Sequence, residues 1–295
     1  MTPIQAQSLP LTLAGKDVIA QAKTGSGKTA AFGLCLLHHL KVKKFRVQTL
    51  VLCPTRELAD QVAKEIRRLA RSIHNIKVLT LCGGMPFGPQ IGSLEHGAHI
   101  VVGTPGRTEE HLRKGYLNLD NVSTLIFDEA DRMLDMGFQQ AIDDIVSYVP
   151  KQRQTLLFSA TYPKQIEKIS QRYMNQPERI SVESDLSHSD ITQHFFKIPD
   201  NQDRINAVRL LLLDKQPDSA VIFCNTKIET QEITDQLRDF GLSALALHGD
   251  LEQRQRDQTL VRFSNKSASI LVATDVAARG LDIDALDMVI NYQVS

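Results

Sequence analysis

The sequence predicts an α/β protein built as two tandem units, each a mainly parallel sheet with helices on both faces. Three observations lead there. Short, continuously apolar runs alternate with amphipathic helical stretches, the pattern of strands buried on both faces and joined by crossover helices. A glycine-rich turn at 22–29 sits between the first such run and the first long helical stretch. A polar break, Ser184-Asp185-Leu186-Ser187-His188-Ser189-Asp190, then interrupts the alternation before it resumes. With 295 residues the chain has room for two domains of about 150 each, placed at 1–183 and 191–295 with 184–190 as the linker.

In chain order, Thr2-Pro3-Ile4-Gln5 opens a helical stretch ending near Leu13, and Gly15-Lys16-Asp17 turns the chain into the apolar run Val18-Ile19-Ala20. A helix is expected at 30–40, and strands at 49–54, 77–82, 99–104, 124–127 and 154–158. The stretch 57–71 repeats Leu58, Val62, Ile66 and Leu69 at three- and four-residue spacing, which predicts an amphipathic helix. Lys64, Arg67 and Arg68 fall on its other face and read as a solvated surface. The second unit carries runs at 194–198, 220–223, 244–247, 270–273 and 288–292, with no second glycine-rich turn of this kind. Right-handed crossovers place the C-terminal ends of parallel strands, and the loops after them, along one edge of each sheet. Both termini are abrupt, the second directly after a strand, so a fragment of a longer protein is expected.

Composition narrows the class. At 42% hydrophobic and 23% charged residues, the chain reads as soluble and globular rather than disordered or fibrous. No apolar run nears the ~18 residues that span a bilayer, and no signal-peptide pattern opens the chain, so a cytoplasmic protein without membrane contact is expected. Cys35, Cys53, Cys82 and Cys224 form no C-x-x-C pair and read as small buried thiols. Lys+Arg and Asp+Glu both number 34, so bulk charge offers nucleic acid no attraction and any grip on it must be local.

The turn Ala22-Lys23-Thr24-Gly25-Ser26-Gly27-Lys28-Thr29 has the context of a phosphate-binding loop, with a strand before and a helix after. Its glycines let successive backbone N–H groups face an anion, and the helix N-terminus adds partial positive charge. Lys28 is then within reach of terminal phosphates, and the Thr29 hydroxyl within reach of Mg2+. The general pattern asks for glycine where Ala22 stands, so alone the turn also reads as an ordinary loop. Downstream, Asp128-Glu129-Ala130-Asp131 follows Leu125-Ile126-Phe127. An acid at a strand end beside a phosphate loop is the usual second metal anchor, here Asp128, and Glu129 stands ready to activate an attacking water. An isolated acidic cluster would instead be a solvated loop or a helix cap.

These motifs, with others in the same order over nearly the whole chain, resemble the DEAD-box RNA helicases. The resemblance implies two RecA-like domains, ATP and Mg2+ as cofactors, and RNA as the partner of a monomeric enzyme. It implies that Gln5 reads adenine and that 22–29 is the family's own phosphate loop, which begins with alanine. Thr24, Gly25, Ser26, Gly27, Lys28 and Thr29 would then hold the nucleotide, with Lys28, Asp128 and Glu129 carrying the chemistry. Pro54-Thr55-Arg56-Glu57-Leu58-Ala59, Gly83-Gly84 and Thr104-Pro105-Gly106-Arg107 correspond to RNA-backbone contacts. Asp131 with Ser159 and Thr161 of Ser159-Ala160-Thr161 is implied to link nucleotide state to RNA binding. In the second unit Thr226, then Gln253 and Arg256 after His248-Gly249-Asp250, match further RNA contacts. In the stretch 273–282, Thr274 matches an RNA contact and Asp282 a nucleotide contact. ATP and RNA are implied to bind across a cleft that closes, destabilises a short duplex and reopens on hydrolysis.

The residue chemistry agrees with this. Strand-end hydroxyls, backbone amides at glycines, Arg56 and Arg107 suit phosphates and 2′-hydroxyls more than bases. With no Trp and 5% aromatic residues, sequence-independent gripping of one strand is expected. Arg56 also reads simply as the partner of a neighbouring acid.

Two parts of the family pattern are missing: an aromatic residue upstream of Gln5, and a His-Arg-x-Gly-Arg motif beyond the present C-terminus. Impaired turnover by this stretch alone is therefore expected. Thr108 stands where an apolar residue is usual. Leu81-Cys82-Gly83-Gly84, Pro86-Phe87-Gly88 and the wording at 247–254 resemble one bacterial branch of the family, linked to ribosome assembly. Its additional C-terminal domain, which recognises large-subunit ribosomal RNA, is not in this chain. Two rival readings remain at this point, a DNA-directed helicase of the same superfamily and a non-catalytic, ATP-gated RNA clamp.

Overall fold

The computed structural model describes residues 1–23, 25–182, 192–198, 200–278 and 286–293. The chain divides into two units, Met1–Leu186 and Ser187–Ser295. The segment 184–190, expected as the linker, lies outside the described residues.

Unit 1 runs α1 (Pro3–Leu13), β1 (Val18–Gln21), α2 (Lys28–His39), β2 (Thr49–Leu52), α3 (Arg56–Leu69), β3 (Val78–Leu81), α4 (Phe87–Glu95), β4 (Ile100–Gly103) and α5 (Pro105–Arg113). It continues with β5 (Thr124–Asp128), α6 (Ala130–Asp135), α7 (Gln139–Ser147), β6 (Gln154–Ser159), α8 (Lys164–Tyr173) and β7 (Glu178–Ser181). The strands form one sheet in the order β3-β4-β2-β5-β6-β1-β7, every pairing parallel.

The apolar runs are continuous because each strand feeds two cores. Val18, Ala20, Val51 and Val102 pack with Phe32, Leu36, Val62 and Ile66 on one face. Ile19, Leu50, Leu52 and Phe127 pack with Leu112, Met133 and Ile166 on the other. Each aliphatic side chain so buried contributes about 1.5–3 kcal/mol. On α3 the buried residues Leu58, Val62 and Ile66 follow the helical period, while Arg68 pairs with Glu65 at 2.6 Å on the exposed face. Strand β7 was not foreseen. Only Ile180 of its four residues is buried, too little apolar signal to mark a strand.

Unit 2 runs α9 (Asn201–Lys215), β8 (Ala220–Cys224), α10 (Lys227–Asp239), β9 (Ala244–Leu247), α11 (Gln253–Ser264), β10 (Ile270–Thr274), α12 (Asp275–Ala278) and β11 (Met288–Asn291). Its parallel sheet has the order β11-β8-β10-β9 and again separates two cores, one around Ile222, Leu237 and Val272 and one around Val221, Leu247 and Leu271. The strand expected at 194–198 is not formed. Phe195 and Phe196 are adjacent rather than alternating, both are exposed (83% and 62%), and the segment has no ladder partner among the described residues. All four cysteines are buried and unpaired. No helix among the described residues is long and apolar enough to cross a membrane.

Candidate nucleotide and RNA site

Because every strand of unit 1 is parallel, each loop after a strand opens on the same edge of the sheet. Strand order sorts those loops. The glycine-rich turn leaves β1, Ser159 ends β6 and Asp128 ends β5, three neighbouring strands. The loops with the expected RNA contacts leave β2, β4 and β3, on the other half of the same edge. Motifs interleaved in sequence are thus separated in space.

On the first half, Gly25 and Gly27 hold φ at 78° and 90°, values that side chains resist. A β-carbon on Gly27 would also lie 2.5 Å from Gln5 Nε2 and so push the Gln5 amide off the turn. Gln5 Nε2 donates to Gly27 O (3.2 Å), and Gln5 Oε1 accepts from the Thr2 N–H (3.0 Å). The residue expected to read adenine is therefore seated on the turn, 22 residues away in sequence. Helix α2 starts at Lys28 with Gly27 as a cap lacking a side chain, which leaves first-turn N–H groups for an anion. Ser26 is half-buried, its hydroxyl donating to Lys23 O (2.7 Å). Lys28 is 6% exposed, and its Nζ donates to Ala22 O at 2.9 Å, with two further donors on the ammonium. Thr29 is half-buried on the same turn. Thr24 and Asp282 lie outside the described residues.

Asp128 is 2% exposed and its Oδ1 has no hydrogen-bond partner. Burial pushes its carboxyl up to about 7, against the pull of the Lys28 ammonium and with help from the Glu129 charge. A buried, under-partnered carboxylate oxygen beside a lysine-bearing anion loop suits a hard divalent cation. Mg2+ fits here, with Thr29 as the hydroxyl on the loop side. Among the described residues no group of three or more His, Cys, Asp or Glu could hold a metal by itself. Glu129 adopts the left-handed conformation (φ 53°, ψ 52°) at the N-cap of α6, is 3% exposed, and lies 3.0 Å from Arg132 Nη1. That backbone costs on the order of 1 kcal/mol for a non-glycine residue, and such strain gathers where a side chain must be aimed.

The three strand ends are bonded together. Asp131 Oδ2 accepts from both the Thr161 N–H (2.9 Å) and the Thr161 hydroxyl (2.8 Å). Ser159 is buried, its hydroxyl has no partner, and its carbonyl accepts from the Ala22 N–H (3.0 Å). Hydrogen bonds from the glycine-rich turn and from Asp131 therefore meet in 159–161.

On the second half, Pro54 is buried after β2 and Thr55 caps α3, its Oγ1 accepting from the Leu58 N–H (3.3 Å). Arg56 Nε lies 3.6 Å from Asp60 Oδ2, so the plain reading of an internal ion pair is realised, loosely. Gly83 and Gly84 follow β3. Thr104 opens α5 with its N–H on Leu81 O (3.0 Å), Pro105 is buried, and Gly106 is exposed. Arg107 is engaged within the protein: Nη1 donates to Met85 O (2.9 Å) and Gln90 Oε1 (3.2 Å), and Nε is 3.1 Å from Glu110. Thr108 is fully buried with an unpartnered hydroxyl against Gly103, which leaves space for it.

In unit 2, Thr226 follows β8 and caps α10, accepting from the Glu229 N–H (3.2 Å). Thr274 ends the neighbouring strand β10, and its Oγ1 accepts from the Ala277 N–H (3.3 Å). Arg256 Nη2 donates to the Ala277 carbonyl (3.2 Å), and Gln253 begins the same helix, α11, bonded to Asp257 (3.0 Å). Thr274 and Arg256 thus meet at one short turn.

Comparison with known proteins decides the family. The DEAD/DEAH box helicase profile matches residues 2–169, and the helicase conserved C-terminal domain matches residues 203–295. The chain belongs to the DEAD/DEAH box helicase family. It is 58% identical over 295 residues to ATP-dependent RNA helicase DbpA of Escherichia coli strain K12, covering 100% of this chain and 64% of that protein. It is 43% identical over 294 residues to DEAD-box ATP-dependent RNA helicase CshA of Geobacillus kaustophilus, covering 99% of this chain and 62% of that protein. The chain therefore spans slightly less than two thirds of the length of these relatives. Among solved structures, S. cerevisiae Dbp5 bound to RNA and ADP BeF3 matches with TM-score 0.88 at 28% identity, covering 100% of this chain and 75% of that one. A DEAD box protein from Methanococcus jannaschii matches with TM-score 0.60 at 41% identity, covering 100% and 79%. The two parallel α/β units are the RecA-like pair of these helicases, and the bacterial branch expected from residues 81–88 and 247–254 is that of DbpA.

One part of the candidate site escaped the sequence. Gln90 is 7% exposed, donates to the Cys82 carbonyl (3.0 Å), and accepts from Arg107 and from His111 Nε2 (2.9 Å). It ties the loop before Gly83-Gly84 to the helix after Thr104. His111 is fully buried and stacks on Phe87 (4.1 Å between ring centres), and burial with the nearby Arg107 charge lowers its pKa to about 4. These residues come together only through packing of α4 on α5, and no local pattern marks them.

Proposed function

We propose that the chain is the catalytic and RNA-gripping core of an ATP-dependent RNA helicase, binding Mg2+ and ATP at the unit 1 sheet edge and coupling hydrolysis to separation of short RNA duplexes. The observation that carries this reading is the placing of Lys28 after β1 and of Asp128 and Glu129 at the end of β5, on one sheet edge, with Gln5 of α1 bonded to the same glycine-rich turn. Lys28 and the N–H groups of 25–29 hold the phosphates, and Gln5 faces the adenine. Asp128 and Thr29 would hold Mg2+, which when bound neutralises charge on the phosphates. Glu129 orients the attacking water and accepts its proton. Asp131, through Thr161 and beside Ser159, passes the state of the phosphates toward the RNA side.

Thr55, Arg56, Gly83, Gly84 and the 104–107 turn offer donors to RNA phosphates and 2′-hydroxyls, as do Thr226, Gln253, Arg256 and Thr274 in unit 2. We propose ribosomal RNA as the target, ribosome assembly in the cytoplasm as the setting, and a monomer as the working form. The test is ATP hydrolysis at saturating RNA and at saturating DNA of the same sequence, with strand displacement of a short RNA duplex. RNA alone should stimulate. Equal stimulation by DNA would favour a DNA-directed translocase, and tight binding without single-turnover hydrolysis would favour a passive clamp.

A further inference from the structure

The loop between α2 and β2 carries charge that none of this chemistry uses. Residues 38–48 read His-His-Leu-Lys-Val-Lys-Lys-Phe-Arg-Val-Gln, with four full positive charges and no acid, in a chain whose charges balance at 34 and 34. The loop is built rather than loose. Gln48, 5% exposed, donates to the carbonyls of Lys41 (2.9 Å) and Lys44 (2.8 Å) and accepts from the Lys41 N–H (2.9 Å). Buried His99 donates through Nε2 to the Val42 carbonyl (2.9 Å) while its Nδ1 accepts from the Lys77 N–H (3.1 Å). With the backbone carbonyls turned inward, Lys41, Lys43, Lys44 and Arg46 are all exposed, and none makes an ion pair among the described residues.

Some exposed bases elsewhere in unit 1 have acidic partners, as in Lys16–Glu178 (2.9 Å), Arg68–Glu65 (2.6 Å) and Lys114–Glu110 (2.7 Å). Others, such as Lys64 and Lys168, stand apart from one another on helix faces. Only the 38–48 stretch sets four bases within six residues with no acid among them. Four like charges held together without such partners repel one another, and the fold gains nothing visible in return. Phe45 sits among them, 46% exposed, its ring tilted against that of His99 (4.4 Å between centres). A row of cations around an exposed ring is the make-up of a surface that tracks a nucleic-acid backbone and stacks a base.

Its position separates it from the contacts already described. Strand β2 runs from this loop to Thr55 and Arg56, so the loop lies at the opposite edge of the sheet. The seven residue-to-residue steps from Gln48 to Thr55 span roughly 23 Å at strand rise, and a helical strand advances ~3.4 Å per nucleotide, or about seven nucleotides over that span. We propose that the 41–46 loop is an auxiliary RNA site, holding the phosphate backbone of RNA that flanks the segment gripped at the sheet's other edge. The identity of this polyanion rests on the RNA helicase reading above.

The test is the full chain carrying Lys41→Gln, Lys43→Gln, Lys44→Gln and Arg46→Gln together, all surface changes that leave Gln48 and His99 in place. Binding of two single-stranded RNAs, of about 6 and about 25 nucleotides, is measured across salt concentrations. The short RNA should bind both proteins equally. The long RNA should bind the variant about tenfold more weakly at low salt, with the salt slope smaller by about 0.7 per lost contact. Phe45→Leu should weaken the long RNA without changing the slope. Equal long-RNA affinity and slope in the variant would overturn the proposal, and so would equal losses for both lengths, which would make the loop part of the primary grip. Loss of polyglutamate binding with long-RNA binding intact would make it a site for acidic peptides instead. Failure of the helicase reading shows separately, as absence of short-RNA binding by the unsubstituted chain.

Discussion

Thr55 and Thr226 occupy the same place in the two units. Each follows the C-terminal end of a parallel strand and caps the next helix, at 3.3 Å from the Leu58 nitrogen and 3.2 Å from the Glu229 nitrogen. Their backbone angles nearly coincide, φ −126°, ψ 160° against φ −128°, ψ 151°. Elsewhere the units differ. At one sheet edge unit 1 has left-handed Gly25 and Gly27, buried Lys28, buried Asp128 and strained Glu129. In unit 2 the left-handed residues Gln216, Gly241 and Lys266 simply follow helix ends. Among the described residues of that unit the buried polar ones are Ser219, Thr230, Thr234 and His248, none of them acidic. A repeated sheet thus offers strand-end hydroxyls and helix N-termini twice, but the costly burial of charge occurs on one side only. The difference teaches that backbone gripping comes readily from this scaffold, while phosphate chemistry needs added strain and desolvation.

The largest effect that bears on this contrast is on turnover. Glu129→Gln keeps size and hydrogen-bonding reach but removes the base, so hydrolysis should fall by ~10²–10⁴-fold while ATP and RNA still bind together. Normal hydrolysis by this variant would take the chemistry away from β5 and dissolve the asymmetry. A smaller effect concerns the brace between the unit 1 RNA loops. His111 has its pKa lowered to about 4 in the fold, against about 6.5 unfolded, so the unfolded chain binds more protons between those values. Stability from this group is complete above pH 6.5 and is lost as pH falls toward 4, by roughly 1–3 kcal/mol. His111→Gln should flatten that acid branch in denaturant titrations of unit 1, and an unchanged pH dependence would show that His111 is not the titrating group. The smallest effect tests the likeness itself. Thr55→Ala and Thr226→Ala should each destabilise their own unit by about 1 kcal/mol, and a loss in only one unit would end the equivalence.

Much of this arrangement is written locally. The run Val18-Ile19-Ala20, the glycines of the turn and the helix after it are contiguous, so β1, the turn and α2 are legible without the fold. The apolar stretch before Asp128 likewise marks β5. Legibility fails where the cause is tertiary. Strand β7 forms because β1 offers it an edge, not because its own residues demand burial. The segment 194–198 has aromatic residues that suit a strand but pairs with no strand among the described residues. Gln90 and His111 stand 21 residues apart and meet through helix packing. The role expected of Arg107 shows the same limit, since its sequence motif says nothing of Gln90, Glu110 and the Met85 carbonyl that hold its guanidinium.

The central claim is that nucleotide chemistry resides at the β1–β5 half of one sheet edge and is separable from RNA gripping. The most direct measurement is the affinity of full-length Lys28→Ala for an ATP analogue and, in the absence of nucleotide, for single-stranded RNA. Lys28 is the buried cation of the turn, so its removal should weaken nucleotide binding by about 2–4 kcal/mol, roughly 30- to 1000-fold. RNA affinity should stay as it was. Unchanged nucleotide affinity, or a parallel loss of both ligands, would contradict the account.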